Sequence, residues 1–177
     1  VYTGYFDASG HYYGEFGAMR IPVSHETTWH YINLFGLDTI SLTPQNRSNF
    51  YYVHNIRIRT SDSVEQYIYP KYDLNGEEQN SPWSALKEYA DSYRFLQLAP
   101  EVRSQLIRIM PEYSPEFLQL TEISLRQNYE MLGLSQGAIE MISGLDPAAG
   151  ALLSASYADM ASDNYSMDYL NIYGIKN

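Results

Sequence analysis

The string His25-Glu26-Thr27-Thr28-Trp29-His30 places two imidazoles and a carboxylate within six residues. A zinc-binding helix sets its two His four apart. Here they are five apart, which on a helix turns them about 140° away from each other. The string reads as a helix start with exposed His, and no metal site is assigned in the chain. Asp73, Asn75 and Glu77 alternate as oxygen ligands do in calcium loops. The sixth position of such a loop requires Gly and the twelfth Glu, and they hold Glu78 and Ser84, so the stretch reads as a solvated acidic turn. Glu77 and Glu78 fall in a loop where catalytic carboxylates are often found, and with His54 as acid–base partner they are the candidate catalytic residues. The other constellation is aromatic. Tyr2, Tyr5, Tyr12, Tyr13 and Trp29 are the candidate ligand-binding residues, because rigid rings stack on sugar faces and anchor protein interfaces.

Missing residue types narrow the chemistry further. There is no Cys among the 177 residues, which excludes thiol nucleophiles, disulfides and thiolate metal sites. No Gly-rich phosphate cradle, Gly-x-Ser-x-Gly elbow or Ser-x-x-Lys occurs, so the residues call for no cofactor.

These groups need elements to hold them. Two aromatic-rich runs around Ala8-Ser9-Gly10 predict a hairpin over residues 1–7 and 11–16. Trp29, Ile32 and Phe35 predict a helix within residues 23–35 with Ser24 as cap, followed by a short strand at 37–42 that ends by Pro44. Residues 50–60 predict one long strand with Phe50, Tyr52, His54, Ile56 and Ile58 on one face. Residues 64–69 are expected to continue the sheet, and Asp73-Leu74-Asn75-Gly76 to form a turn. Beyond residue 80 the pattern turns helical. Ser81-Pro82, Ala99-Pro100, Ser114-Pro115 and Asp146-Pro147 each place Pro at a first helical position. Helices are expected to residue 98, up to Pro111, from Ser114 to a cap at Gly133, from 135 to 142 with an end at Gly144, and from 148 to about 161. The tail at 165–175 fits either element type.

Strands early and helices late predict an α+β fold, with an N-terminal mainly antiparallel sheet and a predominantly helical C-terminal half. The expected organisation is a single domain over 1–177, mostly β at 1–75 and mostly α at 80–177. With 45% apolar and 18% charged residues the chain can build a core. The charge is −10, and none of it comes from residues 1–60, where four bases balance four acids. No base lies between Arg126 and Lys176, so there is no basic stripe for a phosphate backbone and no nucleic-acid partner is expected. No apolar run is long enough to insert in a membrane. Eighteen Tyr with few Lys resemble the make-up of secreted and surface proteins, and the chain opens at Val1 without a leader, as a processed or excised chain would. An extracellular or cell-surface location is expected, where the sequons at Asn46 and Asn164 would matter.

Residues 50–59, Glu77-Glu78-Gln79 and residues 92–101 resemble the second half of ADP-ribosylating toxin subunits, and residues 132–153 are similar to ribosome-inactivating N-glycosidases. Both families' catalytic positions are occupied here by other residues, so neither is assigned. Three function classes follow, in this order. The first is a secreted or surface-exposed binding module that turns an aromatic sheet face to a glycan or protein partner. The second is a small secreted toxin-type enzyme, glycosidase- or ADP-ribosyltransferase-like, with its carboxylates near Glu77 and Glu78. The third is a structural subunit that oligomerises or joins a larger assembly.

Overall fold

An aromatic hairpin opens the chain. The computed structural model describes residues 2–16, 20–42, 48–166 and 172–175, with the side chains of Tyr2, Glu15, Phe16, Tyr165, Ser166 and Ile172 outside that description. Strands β1 (Tyr2–Tyr5) and β2 (Tyr13–Phe16) pair antiparallel, with Tyr5 opposite Tyr13. Asp7 shapes the connection, its carboxylate accepting from the Ser9 hydroxyl and from the backbone N–H groups of Ser9 and Tyr12. Those donors hold Asp7 below the usual carboxylate range, the Ser9 hydroxyl contributing most.

The chain divides into two compact units, Val1–Pro44 with Ser166–Asn177 and Gln45–Tyr165. In the first, β3 (Ile21–Pro22) leads to α1 (Glu26–Leu34) and β4 (Thr39–Ser41). The N-cap of α1 is His25, one residue beyond the expected Ser24. The tail resolves into a strand, Ile172–Ile175, that pairs antiparallel with both β3 and β4 and forms the middle of their sheet. Residues 167–171, and Pro44 at the expected end of the short strand, lie outside the described residues. Ile21, Pro22 and Ile32 are the buried apolar residues of α1 and β3. At the end of α1, Gly36 takes the left-handed φ of +61° that lets the Leu37 N–H reach back to the Ile32 carbonyl.

The second unit begins with a correction. Residues 50–60 are two strands, β5 (Phe50–Val53) and β6 (Ile56–Arg59), paired antiparallel around a two-residue turn. His54 and Asn55 carry that turn at φ of +50° and +62°, the left-handed pair that a tight hairpin requires. Two turn residues change which side chains share a face. Tyr51 lies opposite Ile58 and Val53 opposite Ile56, and these four turn inward. Phe50, Tyr52, Arg57 and Arg59 turn out to solvent. Residues 64–69 do not extend the sheet either. They form α2 (Val64–Tyr67), started by the Ser63 hydroxyl accepting from the Gln66 N–H, and a 3-10 turn (Tyr69–Lys71). The expected turn at Asp73 to Gly76 feeds directly into α3 (Gly76–Gln79), capped by Asn75.

Helices follow as expected in kind and are shorter in extent. They are α4 (Trp83–Leu96), α5 (Pro100–Arg103) running into a 3-10 turn (Ser104–Ile107), α6 (Pro115–Thr121), α7 (Leu125–Met131), α8 (Gln136–Leu145), α9 (Pro147–Ala151) and α10 (Tyr157–Ser166). Pro100, Pro115 and Pro147 stand at first helical positions, whereas Pro82 is itself the N-cap of α4. The helix expected from Ser114 to Gly133 breaks in two. Ser124 and Gln127 form a capping box that starts α7, and the chain there bonds across to residues 153–157. The helix expected from 148 to 161 breaks likewise, into α9 and α10. Gly133 terminates α7 with φ of +87°, as expected, but α8 runs through Gly144 to Leu145.

Helix α8 is apolar on both sides, which explains its place between two cores. Ile139 and Ile142 face a helical core with Leu120, Leu125, Tyr129 and Tyr157, while Ala138, Met141 and Leu145 face the β5–β6 hairpin with Val53, Ile58 and Ile68. Its first turn lies directly on the backbone of residue 73. A Cβ at Gly137 would come within 2.1 Å of the Asp73 carbonyl oxygen. Gly137→Ala is therefore expected to cost about 1–3 kcal/mol in urea unfolding, since backbone must move to admit one methyl. An alanine variant as stable as the parent would show that α8 has room to shift there.

Candidate functional site

The densest set of polar groups in the second unit was not singled out from sequence. On α4, Asp91 is 6% exposed. Its carboxylate accepts from the Tyr129 hydroxyl of α7 at 2.5 Å and pairs with Lys87 at 2.5 Å, one helical turn earlier. Lys87 also reaches Asp146 at 3.4 Å. The Asp91 backbone carbonyl accepts from the Tyr157 hydroxyl of α10 at 2.8 Å. Beside it, fully buried Asn128 donates to the Ala90 carbonyl at 2.7 Å and accepts from Arg94 Nε at 2.8 Å. Six side chains on three helices, Lys87, Asp91 and Arg94 of α4, Asn128 and Tyr129 of α7 and Tyr157 of α10, thus meet along α4. Burial pushes both phenols up, Tyr157 to about 12 and Tyr129 further under the added influence of Asp91. Burial pulls Lys87 down, but Asp91 and Asp146 outweigh it and the ammonium is favoured. Every group in this knot is spent on another, so its chemistry is to lock helices together.

The candidate carboxylates occupy different surroundings. Glu77 is exposed on α3. Glu78 is 3% exposed and both of its oxygens are engaged. Oε1 accepts from the Ser135 N–H at 2.7 Å, and Oε2 accepts from the Asn75 N–H at 2.9 Å and the Ser135 hydroxyl at 2.6 Å. Ser135 is the N-cap of α8, so Glu78 closes the capping box of α3 and holds the start of α8 at the same time. Glu78→Ala is expected to cost about 1–3 kcal/mol in urea unfolding, because two part-buried N–H groups and the Ser135 hydroxyl lose the buried carboxylate that accepts from them. An unchanged unfolding midpoint would contradict that holding role. His54 lies exposed in the β5–β6 turn, its ring edge-on to Tyr72 with centroids 5.0 Å apart. The alternating oxygens at Asp73, Asn75 and Glu77 are a helix start: Asn75 Oδ1 accepts from the N–H groups of Glu77 and Glu78 at 3.0 Å each.

The aromatic candidates and the His25–His30 string belong to the first unit. Tyr5, Tyr12 and Tyr13 are 67%, 71% and 52% exposed, joined by Phe6 at 71%. The rings of Tyr5 and Tyr13 lie 6.4 Å apart across the hairpin. Tyr2 belongs to β1, and its side chain lies outside the described residues. Trp29 is half-buried and serves the fold. Its Nε1–H donates to the Pro22 carbonyl at 2.9 Å, and its ring meets Tyr173 edge-on at 5.3 Å. His25 and His30 are exposed, and His30 stacks edge-on against Tyr31. Among the described residues no three His, Asp or Glu side chains gather to hold a metal ion, and no helix is long and apolar enough to cross a membrane.

No family model matches the sequence. Over 145 residues, 82% of this chain and 27% of the relative, it is 29% identical to an L-amino-acid oxidase of Naja atra. It is 29% identical over 135 residues to the L-amino-acid oxidase of Sistrurus catenatus edwardsii and 27% identical over 135 residues to that of Crotalus adamanteus, in each case 76% of this chain and 24% of the relative. The chain spans about a quarter of the length of the curated relatives it matches.

Proposed function

We propose that this chain forms part of an enzyme that oxidises L-amino acids or closely related amines, and that it contributes packed scaffold and surface around the reacting centre. The observation that carries this reading is similarity to L-amino-acid oxidases along four-fifths of the chain. It replaces the glycosidase- and ADP-ribosyltransferase-like chemistry considered from sequence and keeps the coarser idea of an enzyme. The reaction removes two electrons and two protons from the Cα–H and N–H of the amine to give an imine, while dioxygen accepts them as hydrogen peroxide. A group that relays electrons to dioxygen is implied. The described residues do not fit a dinucleotide-type relay. Their sheets are antiparallel ribbons of two or three strands, and their helices start after residues such as Ser63, Asn75, Ser114, Ser124 and Ser135, not after Gly-rich turns. The natural polypeptide that carries this chain is expected to consume oxygen with at least one L-amino acid and at least a hundredfold more slowly with its D-isomer. No L-amino-acid-dependent oxygen uptake with any of the common amino acids would defeat the reading.

A second reading is favoured by the exposed rings of Tyr5, Phe6, Tyr12 and Tyr13, which suit an extracellular binding face for a glycan or protein partner. Under it, Tyr12→Ser with Tyr13→Ser abolishes saturation-transfer signals from bound oligosaccharide and leaves the melting temperature in place. Signals unchanged in that variant would place binding elsewhere.

A further inference from the structure

The outward face of the β5–β6 hairpin carries an arrangement that the scaffold does not use. Phe50 stands opposite Arg59 and Tyr52 opposite Arg57, so two rings and two guanidinium groups form a checkerboard on one face of the ribbon. All four residues are exposed. The guanidinium carbon of Arg57 lies 3.9 Å from the Phe50 ring centroid and that of Arg59 lies 5.0 Å from it. Neither Arg forms an ion pair with a carboxylate among the described residues. Stacking on a ring uses the flat face of a guanidinium and leaves its N–H edges to bind a planar anion in the bidentate manner.

We propose that this face is a docking site for an extended acidic peptide segment whose Asp or Glu residues alternate along the strand. Arg57 and Arg59 are two residues apart on one strand face, a spacing of about 6.8 Å. Carboxylates at alternate positions of an extended peptide repeat at the same distance, so each can meet one guanidinium. Phe50 and Tyr52 then pack against the side chains between the carboxylates and keep water from the pairs. Charge favours this partner over a polyphosphate. The chain carries −10 overall, and a strand of phosphates running past two arginines meets that field along its whole length. A short segment with two or three carboxylates reaches little beyond the two guanidinium groups, although the Asp62 carboxylate, which accepts from the Arg59 N–H at 2.8 Å, borders one end. The inference stands independently of the oxidase reading.

Fluorescence anisotropy tests it with the whole 177-residue protein and a labelled peptide containing Glu-Thr-Glu-Thr-Glu. The expected result is saturable binding that weakens at least tenfold when every Glu of the peptide is replaced by Gln, and at least tenfold in the Arg57→Gln, Arg59→Gln protein. Arg57→Lys with Arg59→Lys should fall between, because charge is kept and bidentate geometry lost. Raising NaCl shortens the screening length and should weaken binding further. Equal affinity for the Glu and Gln peptides overturns the proposal without relying on any variant. So does equal binding by the parent and double-Gln proteins, tighter binding of an oligothymidylate of matched charge, or no binding of the peptide at millimolar protein.

Discussion

Replacing Asp91 with Ala is expected to lower the free energy of unfolding by about 3–5 kcal/mol, a large part of the 5–15 kcal/mol typical of a domain. The size follows from what the carboxylate leaves behind. The Tyr129 hydroxyl, on a side chain with no exposure, loses its acceptor at 2.5 Å. Lys87 loses its partner at 2.5 Å and keeps only Asp146 at 3.4 Å, with its side chain 20% exposed. An ammonium stranded in that setting costs more than the pair ever contributed, which is why breaking a buried pair exceeds its net worth. Asp91→Asn keeps an oxygen for Tyr129 and loses only the charge, so its cost should be about half as large. Lys87→Met in the Asp91→Ala background should recover stability, since the orphaned charge is then gone. Urea unfolding followed by far-ultraviolet circular dichroism measures all three. An Asp91→Ala protein within about 1 kcal/mol of the parent would mean that the knot is incidental to the fold.

This knot was hidden from the sequence for a physical reason. Asp91 and Tyr129 are 38 residues apart and Asp91 and Tyr157 are 66 apart, so no local pattern joins them. An Asp beside Ala90 on an amphipathic helix carries the same local signature as a solvated one. Local chemistry, by contrast, was legible. Pro fixes its own φ and lacks an N–H, so the helices begun by Pro100, Pro115 and Pro147 announce themselves. Two further local signals lie in the sequence. Asn75 with Glu78, and Ser124 with Gln127, have the spacing of capping boxes. The first shows Glu78 as a helix cap, and the second divides the helix that began at Ser114. The ribbon at residues 50–59 was concealed by its turn, because His54-Asn55 lacks the Gly of the common two-residue hairpin turns and ten residues of alternation read through it as one strand. The tail strand gains its partners from residues 21–22 and 39–41, far back in the chain, and its own residues say little.

Above about pH 10 the protein is expected to lose stability steeply, at about 4 kcal/mol per pH unit, because three buried phenols must keep their protons for it to stay folded. Tyr69, Tyr129 and Tyr157 are 6%, 0% and 0% exposed. Burial, with help from Glu65, pushes Tyr69 up to about 12; burial pushes Tyr157 to about 12; burial and Asp91 push Tyr129 higher still. The hydroxyls of Tyr69 and Tyr157 donate to the backbone carbonyls of Ser81 at 2.6 Å and Asp91 at 2.8 Å, where a phenolate would face a carbonyl oxygen with no proton between them. In the unfolded chain each phenol releases its proton near pH 10, so from there upward the unfolded state binds fewer protons than the folded one. Each such Tyr then removes about 1.4 kcal/mol per pH unit, a loss that levels off near 12 for Tyr69 and Tyr157 and continues for Tyr129. Lys87 acts in the same direction, its raised ammonium contributing below the unfolded Lys value and losing that contribution as pH climbs through the folded one. Tyrosinate absorbance should therefore show these phenols ionising together with loss of helical circular dichroism. Tyr129→Phe costs stability at neutral pH through the lost bond to Asp91, yet it should flatten the alkaline slope by about 1.4 kcal/mol per unit. Unfolding free energies that stay level from about pH 9 to about pH 11.5 would show that these phenols ionise without opening the helices, and that the hydrogen bonds at Ser81 and Asp91 do not hold them shut.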